Sequence, residues 1–179
     1  MGNSTATMPD INRHIFNPAY TIRSGTEHDR DWVRHELVRN WGDVAISSLG
    51  VWHQADVLPS LIAWSDSQRV GLATFMPQFA GGACEVITLS STLEKAGVGA
   101  TLLEACVAAA RSAGCHRVFL TTTNDNLRAI GFYQKRGWRM VAVHRGAMDH
   151  ARVSKPTIPL IGMNNIPLHD EIEFEFLLT

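Results

Sequence analysis

Three cysteines, Cys84, Cys106 and Cys115, are an odd number, and no Cys-x-x-Cys pair occurs among them. That excludes a disulfide framework and a cysteine-based zinc site. Cys106 lies among apolar neighbours at helical spacing and reads as a buried structural thiol. The eight histidines form no His-Glu-x-x-His and no other paired spacing, so no metal site is expected. An excess of either charge is also missing. Sixteen basic against 17 acidic residues leave a net charge of −1, whereas a nucleic-acid partner calls for a basic face. No apolar run approaches the ~20 residues of a membrane helix. The polar stretch Met1–Pro18 holds no signal-type apolar segment. Neither nucleic acid nor membrane is therefore an expected partner, and a cytoplasmic location is the default expectation. Internal repeats and low-complexity tracts are absent.

The 179 residues, 45% of them hydrophobic, suit one domain with a buried core. Residues 1–18 read as a flexible leader and 19–179 as that domain. Tyr20–Arg23 is a strand candidate, and Asp29 or Asp31 caps a helix running to Trp41 before Gly42. Residues 44–58 are expected to be a short helix and a loop. Leu61–Trp64 and Val70–Met76 read as strands joined by the turn Ser65-Asp66-Ser67-Gln68. A second turn, Ala80-Gly81-Gly82-Ala83, feeds a strand over Glu85–Ser90. Gly97 and Gly99 precede a helix of about 14 residues, with Leu102, Leu103, Cys106, Val107 and Ala110 on one face. Arg111 and Gly114 end it. Arg117–Thr122 is a strand, Asn126 caps a helix over Leu127–Arg136, Gly137 closes it, and Trp138–Val143 is a strand. Residues 145–170 carry Pro156, Pro159, Gly162, Asn164-Asn165 and Pro167, and read as one long irregular loop. In Glu171–Leu178, Ile172, Phe174 and Phe176 alternate with Glu171, Glu173 and Glu175, the pattern of a half-buried antiparallel strand. The expected class is α/β: a mixed sheet with one βαβ unit in the middle and hairpins on both sides.

Chemistry is expected first at the strand-to-helix junction. A helix start offers unpaired N–H groups and a partial positive charge, and glycines admit a phosphate close to the backbone. Ala96, Gly97, Val98, Gly99, Ala100 and Thr101 form such a cradle, although Gly-x-Gly also serves plain turn geometry. A P-loop needs Gly-Lys-Ser/Thr, which does not follow here. A dinucleotide fingerprint needs a third glycine where Leu102 stands and an acid about 20 residues on, near Phe119.

The second motif is Asn126-x-x-Ala129-x-x-Phe132-Tyr133-x-x-x-Gly137-Trp138. With Gly97-x-Gly99 upstream, it resembles the cofactor-side signature of the GNAT (GCN5-related N-acetyltransferase) family. The resemblance spans roughly residues 20–178 and is clear over 84–143. It implies a central mixed, mostly antiparallel sheet with two splayed parallel strands, here Glu85–Ser90 and Arg117–Thr122, and flanking helices. It implies acetyl-CoA as co-substrate. Val86, Ile87, Thr88 and Leu89 would pair with the pantetheine arm, and 96–101 would hold the pyrophosphate. Asn126, Ala129 and Phe132 would lie on the cofactor side, and Tyr133 near the thioester sulfur.

A tyrosine is protonated at neutral pH and can protonate a departing thiolate. The other reading of Tyr133 is a packed helical aromatic. Gly131 sits mid-helix, where it serves a close approach or nothing. One position departs from the family pattern. The usual Gln or Arg at the head of the phosphate loop is Glu94, followed by Lys95. The acceptor amine must be neutral to attack, so a base or water chain is needed. Glu85 is the candidate, against a plain exposed strand-end glutamate; Glu36, Asp43 and the acids of 170–175 are weaker ones. Trp41, Trp52 and His53 fall where the acceptor side would be walled. Core packing is favoured for each tryptophan and the surface for His53. The loop 145–170 is a lid, a dimer contact or a simple connection. The function expected is acetyl transfer to an amine of a small molecule or peptide, with a homodimer plausible. The alternative is a non-catalytic acyl-CoA-sensing or partner-binding module on the same fold.

Overall fold

Alternating and β-branched runs form strands, and one of them, Gln68–Gln78, forms the long strand on which the sheet is built. The computed structural model describes residues 20–78, 82–93 and 96–178. The expected leader, Ala80-Gly81 of the second turn, and Glu94 and Lys95 lie outside the described residues. In chain order the elements are β1 (Thr21–Ser24), α1 (Arg30–Trp41), β2 (Ala45–Ser48), β3 (Val51–Gln54), β4 (Ser60–Ser65), β5 (Gln68–Gln78), β6 (Ala83–Ser91), α2 (Val98–Ser112), β7 (Arg117–Thr123), α3 (Leu127–Gln134), β8 (Arg139–His144), α4 (Ala147–Ser154) and β9 (Glu171–Leu177). Seven strands make one sheet in the order β1-β4-β5-β6-β7-β9-β8, and β2 and β3 pair as a separate ribbon. Only β6 and β7 run parallel; the other neighbours are antiparallel. The expected α/β class with a mixed sheet and a central βαβ unit is what the chain adopts.

The sheet is covered on both faces. On one face Leu102, Leu103 and Cys106 of α2 pack against Leu61, Phe75 and Val118. Gly71 permits this approach: a Cβ there would lie 2.7 Å from Val98 Cγ1 and 2.9 Å from Leu102 Cδ1. On the other face Val33 and Leu37 of α1 pack against Ile62 and Leu72. A 3₁₀ turn, Glu27–Asp29, leads into α1, and the Thr26 N–H and hydroxyl at its head both donate to Asp29 Oδ2, at 3.0 and 2.8 Å. It ends on left-handed Gly42.

Three expectations are corrected. Residues 44–58 are not a helix and loop; they hold the β2–β3 ribbon and a 3₁₀ turn, Ala55–Val57. Residues 145–170 are not one irregular loop. Helix α4 lies inside them, with Met148 and Ala151 buried, and the guanidinium of Arg152 is bonded by the carbonyls of Ile158, Pro159 and Leu168. Finally, β9 is not half-buried. Glu171 and Glu173 are buried along with Ile172 and Phe174: the ribbon reaches Glu171 through the Leu49 N–H, and Arg117 and His144 pair with Glu173.

Candidate active site

The antiparallel register of β5 and β6 slips between Thr74↔Thr88 and Phe75↔Val86, which leaves Ile87 as an extra residue on β6. Such a bulge bends its strand and re-aims its side chains. The hydroxyls of Thr74 and Thr88, 2.7 Å apart, hold the two strands together beside it. On the other edge, β6 pairs with β7 from Ala83↔Arg117 only to Val86↔Leu120, although both strands continue to Ser91 and Thr123. Past the bulge the parallel strands part, and a cleft opens between them. Val86, Ile87, Thr88 and Leu89 form one wall. Asn126, Ala129 and Tyr133 of α3 face them, with Thr121 and Thr122 of β7 and Trp41 at the end of α1.

Helix α2 starts at the mouth of the same strand pair. Its N-cap Gly97 is left-handed, at φ 86°, and makes no side-chain cap. The first helical bond runs from the Thr101 N–H to the Gly97 carbonyl at 3.1 Å. The N–H groups of Val98, Gly99 and Ala100 precede it and have no acceptor within the helix. Val98 and Thr101 turn their side chains into the core, so this segment offers backbone, not side chains, to a ligand. Ala96 packs at the core's edge. A Cβ on Gly99 would meet the Phe132 ring at 3.6 Å, so Phe132 is where α3 approaches the start of α2. The Arg136 guanidinium stacks on that ring, 3.8 Å from its centroid.

Asn126 caps α3 as expected, its side-chain oxygen accepting the Ala129 N–H at 3.1 Å. Two helical turns after this cap, Tyr133 is 8% exposed and packs on Phe132, Trp138 and Phe174. Burial, with a smaller push from Cys106, moves its hydroxyl above the usual tyrosine range, so it stays protonated. Among the described residues none approaches Gly131 closely, since a Cβ there would meet nothing within 4 Å.

Glu85 is not an exposed strand-end residue: it is the third residue of β6 and only 3% exposed. It lies under the β2–β3 ribbon. Ser48 Oγ donates to Glu85 Oε1 at 2.6 Å. Burial raises the Glu85 carboxyl above its ordinary value, and the Ser48 hydrogen bond and nearby His53 oppose this. Glu171, also raised by burial, accepts the Leu49 N–H at 2.9 Å. Glu173 is paired with Arg117 and with His144 at 2.9 Å. The weaker candidates are engaged elsewhere, Glu36 with Arg39 and Asn40, and Asp43 with Lys155. The expectations for Trp52 and His53 are reversed. Trp52 is 37% exposed, and His53 is 9% exposed because alternate residues of β3 face opposite sides. Sequence reasoning missed Ser48 and Thr121. Their only signal was membership of short strands, one of them hidden in the misread 44–58 segment.

Among the described residues, no helix is long and apolar enough to cross a membrane, and no group of three or more His, Cys, Asp or Glu is placed to hold a metal ion.

Comparison with known proteins places this arrangement. YxbD, an uncharacterized protein of Bacillus subtilis (strain 168), is 39% identical over 145 residues, covering 80% of this chain and 89% of its own. Among solved structures, an IAA acetyltransferase from Bacillus cereus ATCC 14579 superposes with a TM-score of 0.68 at 18% identity, over 89% of this chain and 99% of its own. A Bacillus subtilis acetyltransferase in complex with CoA superposes with a TM-score of 0.66 at 16% identity, over the same shares. At such identities the superpositions speak for the fold. The sequence profile of the acetyltransferase (GNAT) family matches residues 13–138, well over half of the chain. With the parted parallel strands, the bulge and the left-handed glycine at the head of α2, this assigns the chain: it belongs to the GNAT family of acetyltransferases.

Proposed function

We propose that this chain is an acetyl-CoA-dependent N-acetyltransferase acting on an amine of a small molecule or peptide. The observation that carries the reading is the cleft between β6 and β7, with Tyr133 in its wall. The residues fit the co-substrate. The free edge of β6 past Val86 has the hydrogen-bonding groups an extended pantetheine arm needs. The first-turn N–H groups of α2, behind a left-handed glycine, suit a pyrophosphate. The Bacillus subtilis acetyltransferase of similar fold holds CoA.

Acetyl-CoA supplies the acetyl group as an activated thioester. In this reading Val86–Leu89 align it, and residues 96–101 bind its phosphates through backbone groups. Alignment of two reactants in one cleft supplies much of the rate. The buried Tyr133 hydroxyl keeps its proton until a thiolate leaves beside it, and then gives it up as general acid. Glu85 accepts the proton that the acceptor ammonium must lose before attack.

The test is a thermal shift. A ligand at about 100 times its dissociation constant adds about 2.7 kcal/mol. In a chain of this size that raises Tm by roughly 5–11 °C. The rise is expected with acetyl-CoA and CoA and not with ATP. Its absence at saturating acetyl-CoA contradicts the reading.

A further inference from the structure

Glu85 has the chemistry of a base but is only 3% exposed, beneath the β2–β3 ribbon. Two hydroxyls connect it to the cleft wall. Ser48 Oγ, on β2, donates to Glu85 Oε1 at 2.6 Å. The same Ser48 oxygen lies 3.0 Å from Thr121 Oγ1, on β7. Thr121 is part of the cleft wall. Both separations are those of O–H···O hydrogen bonds, and either hydroxyl of the Ser48–Thr121 pair can donate. The three groups come from three strands, 37 and 73 residues apart in the chain, and no local turn geometry aligns them. Ser48 is 4% exposed, so its contact with Glu85 is shielded from bulk solvent.

We propose that Thr121 and Ser48 form a proton relay that carries the acceptor's proton from the cleft to Glu85. The proposal rests on the N-acetyltransferase reading and adds its proton path. In the step, an N–H bond of the acceptor ammonium breaks and its proton joins Thr121 Oγ1. The original Thr121 hydroxyl proton passes to Ser48 Oγ, and the Ser48 proton passes to Glu85 Oε1. The electron pair of the broken N–H bond stays on nitrogen, which becomes a neutral nucleophile. The carboxylate becomes a neutral acid, each hydroxyl ends with one proton, and an opposite charge pair has been discharged.

The surroundings of Glu85 favour it as terminus. Glu173 of β9 already has Arg117 and His144, and Glu171 of β9 has the Leu49 N–H. His53 of β3 lies near Glu85, and its Nε2 is buried without a hydrogen-bond partner. Burial also raises the Glu85 carboxyl above its ordinary value, which favours its holding a proton.

The relay matters only when the amine arrives charged. The probe is therefore a series of primary amines of falling basicity, from butylamine to trifluoroethylamine, with thiol release from acetyl-CoA as the readout near pH 7. Ser48→Ala and Thr121→Val are expected to lower kcat/KM for butylamine by about tenfold or more. The loss should shrink steadily toward trifluoroethylamine, and Thr121→Ser, which restores the hydroxyl, should recover the butylamine rate. An equal loss along the series would mean a purely structural role, and no loss would mean no relay; either overturns the proposal while leaving the N-acetyltransferase reading intact. If the wild type binds acetyl-CoA and acetylates no amine of the series, that reading fails and the relay with it. A Ser48→Ala protein no longer stabilised by acetyl-CoA has lost its cleft, and the Thr121 pair of variants then decides.

Discussion

The ring of Tyr133 packs against that of Phe174, with centroids 5.5 Å apart and planes inclined by 46°. The same side chain lines the cleft. Packed aromatic and site residue are therefore not alternatives at this position: one side chain belongs to the core and also lines the cleft.

The two roles separate in Tyr133→Phe. The ring contacts remain, so stability should change by no more than about 1 kcal/mol. Removing a general acid should lower kcat by about a hundredfold or more. Melting curves and steady-state thiol release measure both. A kcat within about twofold of the wild type would remove Tyr133 from the chemistry.

Glu85 predicts a pH dependence of defined sign. Its carboxyl is raised above the ordinary 4.5 by burial, against the pull of Ser48 and His53. The native state thus holds a proton that the unfolded chain has released, and stability falls as pH rises from about 4.5 through the raised value. Glu171 acts in the same direction. Glu85→Gln should match the wild type in stability below that window and exceed it above. Activity runs the other way: the working base is the carboxylate, so wild-type kcat/KM should rise with pH through the raised pKa and Glu85→Gln should lose that limb. Denaturation and rate profiles over the same pH range check both signs.

Gly71 links packing to ligand binding. A Cβ there would press on Val98 and Leu102 and stand 3.0 Å from the Ser90 carbonyl. Gly71→Ala should push the start of α2 off β5 at a cost of about 1–3 kcal/mol. Because that start carries the proposed phosphate cradle, the stabilisation gained from acetyl-CoA should shrink as well. Chemical denaturation with and without acetyl-CoA measures the two effects together.

What the sequence disclosed follows from how local each signal was. Much of the stretch from Glu85 to Trp138 was legible because its apolar spacing, its Asn126 cap and Gly97 are short-range devices; Gly99, expected before α2, is its second residue. The β2–β3 ribbon was not. Its turn is made by Leu49 and Gly50, both at positive φ, and leucine is not among the residues that announce such a turn. The Leu49 backbone is held by Glu171, 122 residues away, a contact that no local pattern carries. Helix α4 was masked by the prolines and glycines around it, and tertiary bonds from Arg152 tie it to the following segment. The acidic face of β9 looked solvent-exposed because alternation cannot show that groups from elsewhere in the chain engage it. The relay shares this cause, since its three members meet only after folding.

The central claim is that the β6–β7 cleft hands the acetyl group of acetyl-CoA to an amine. The most direct measurement incubates the protein with acetyl-CoA carrying an isotopically labelled acetyl group and a panel of primary amines, and follows products by mass spectrometry. The account predicts a labelled N-acetylamine formed in step with free CoA. Tight binding of acetyl-CoA with no labelled amine, from any acceptor of the panel, would contradict it.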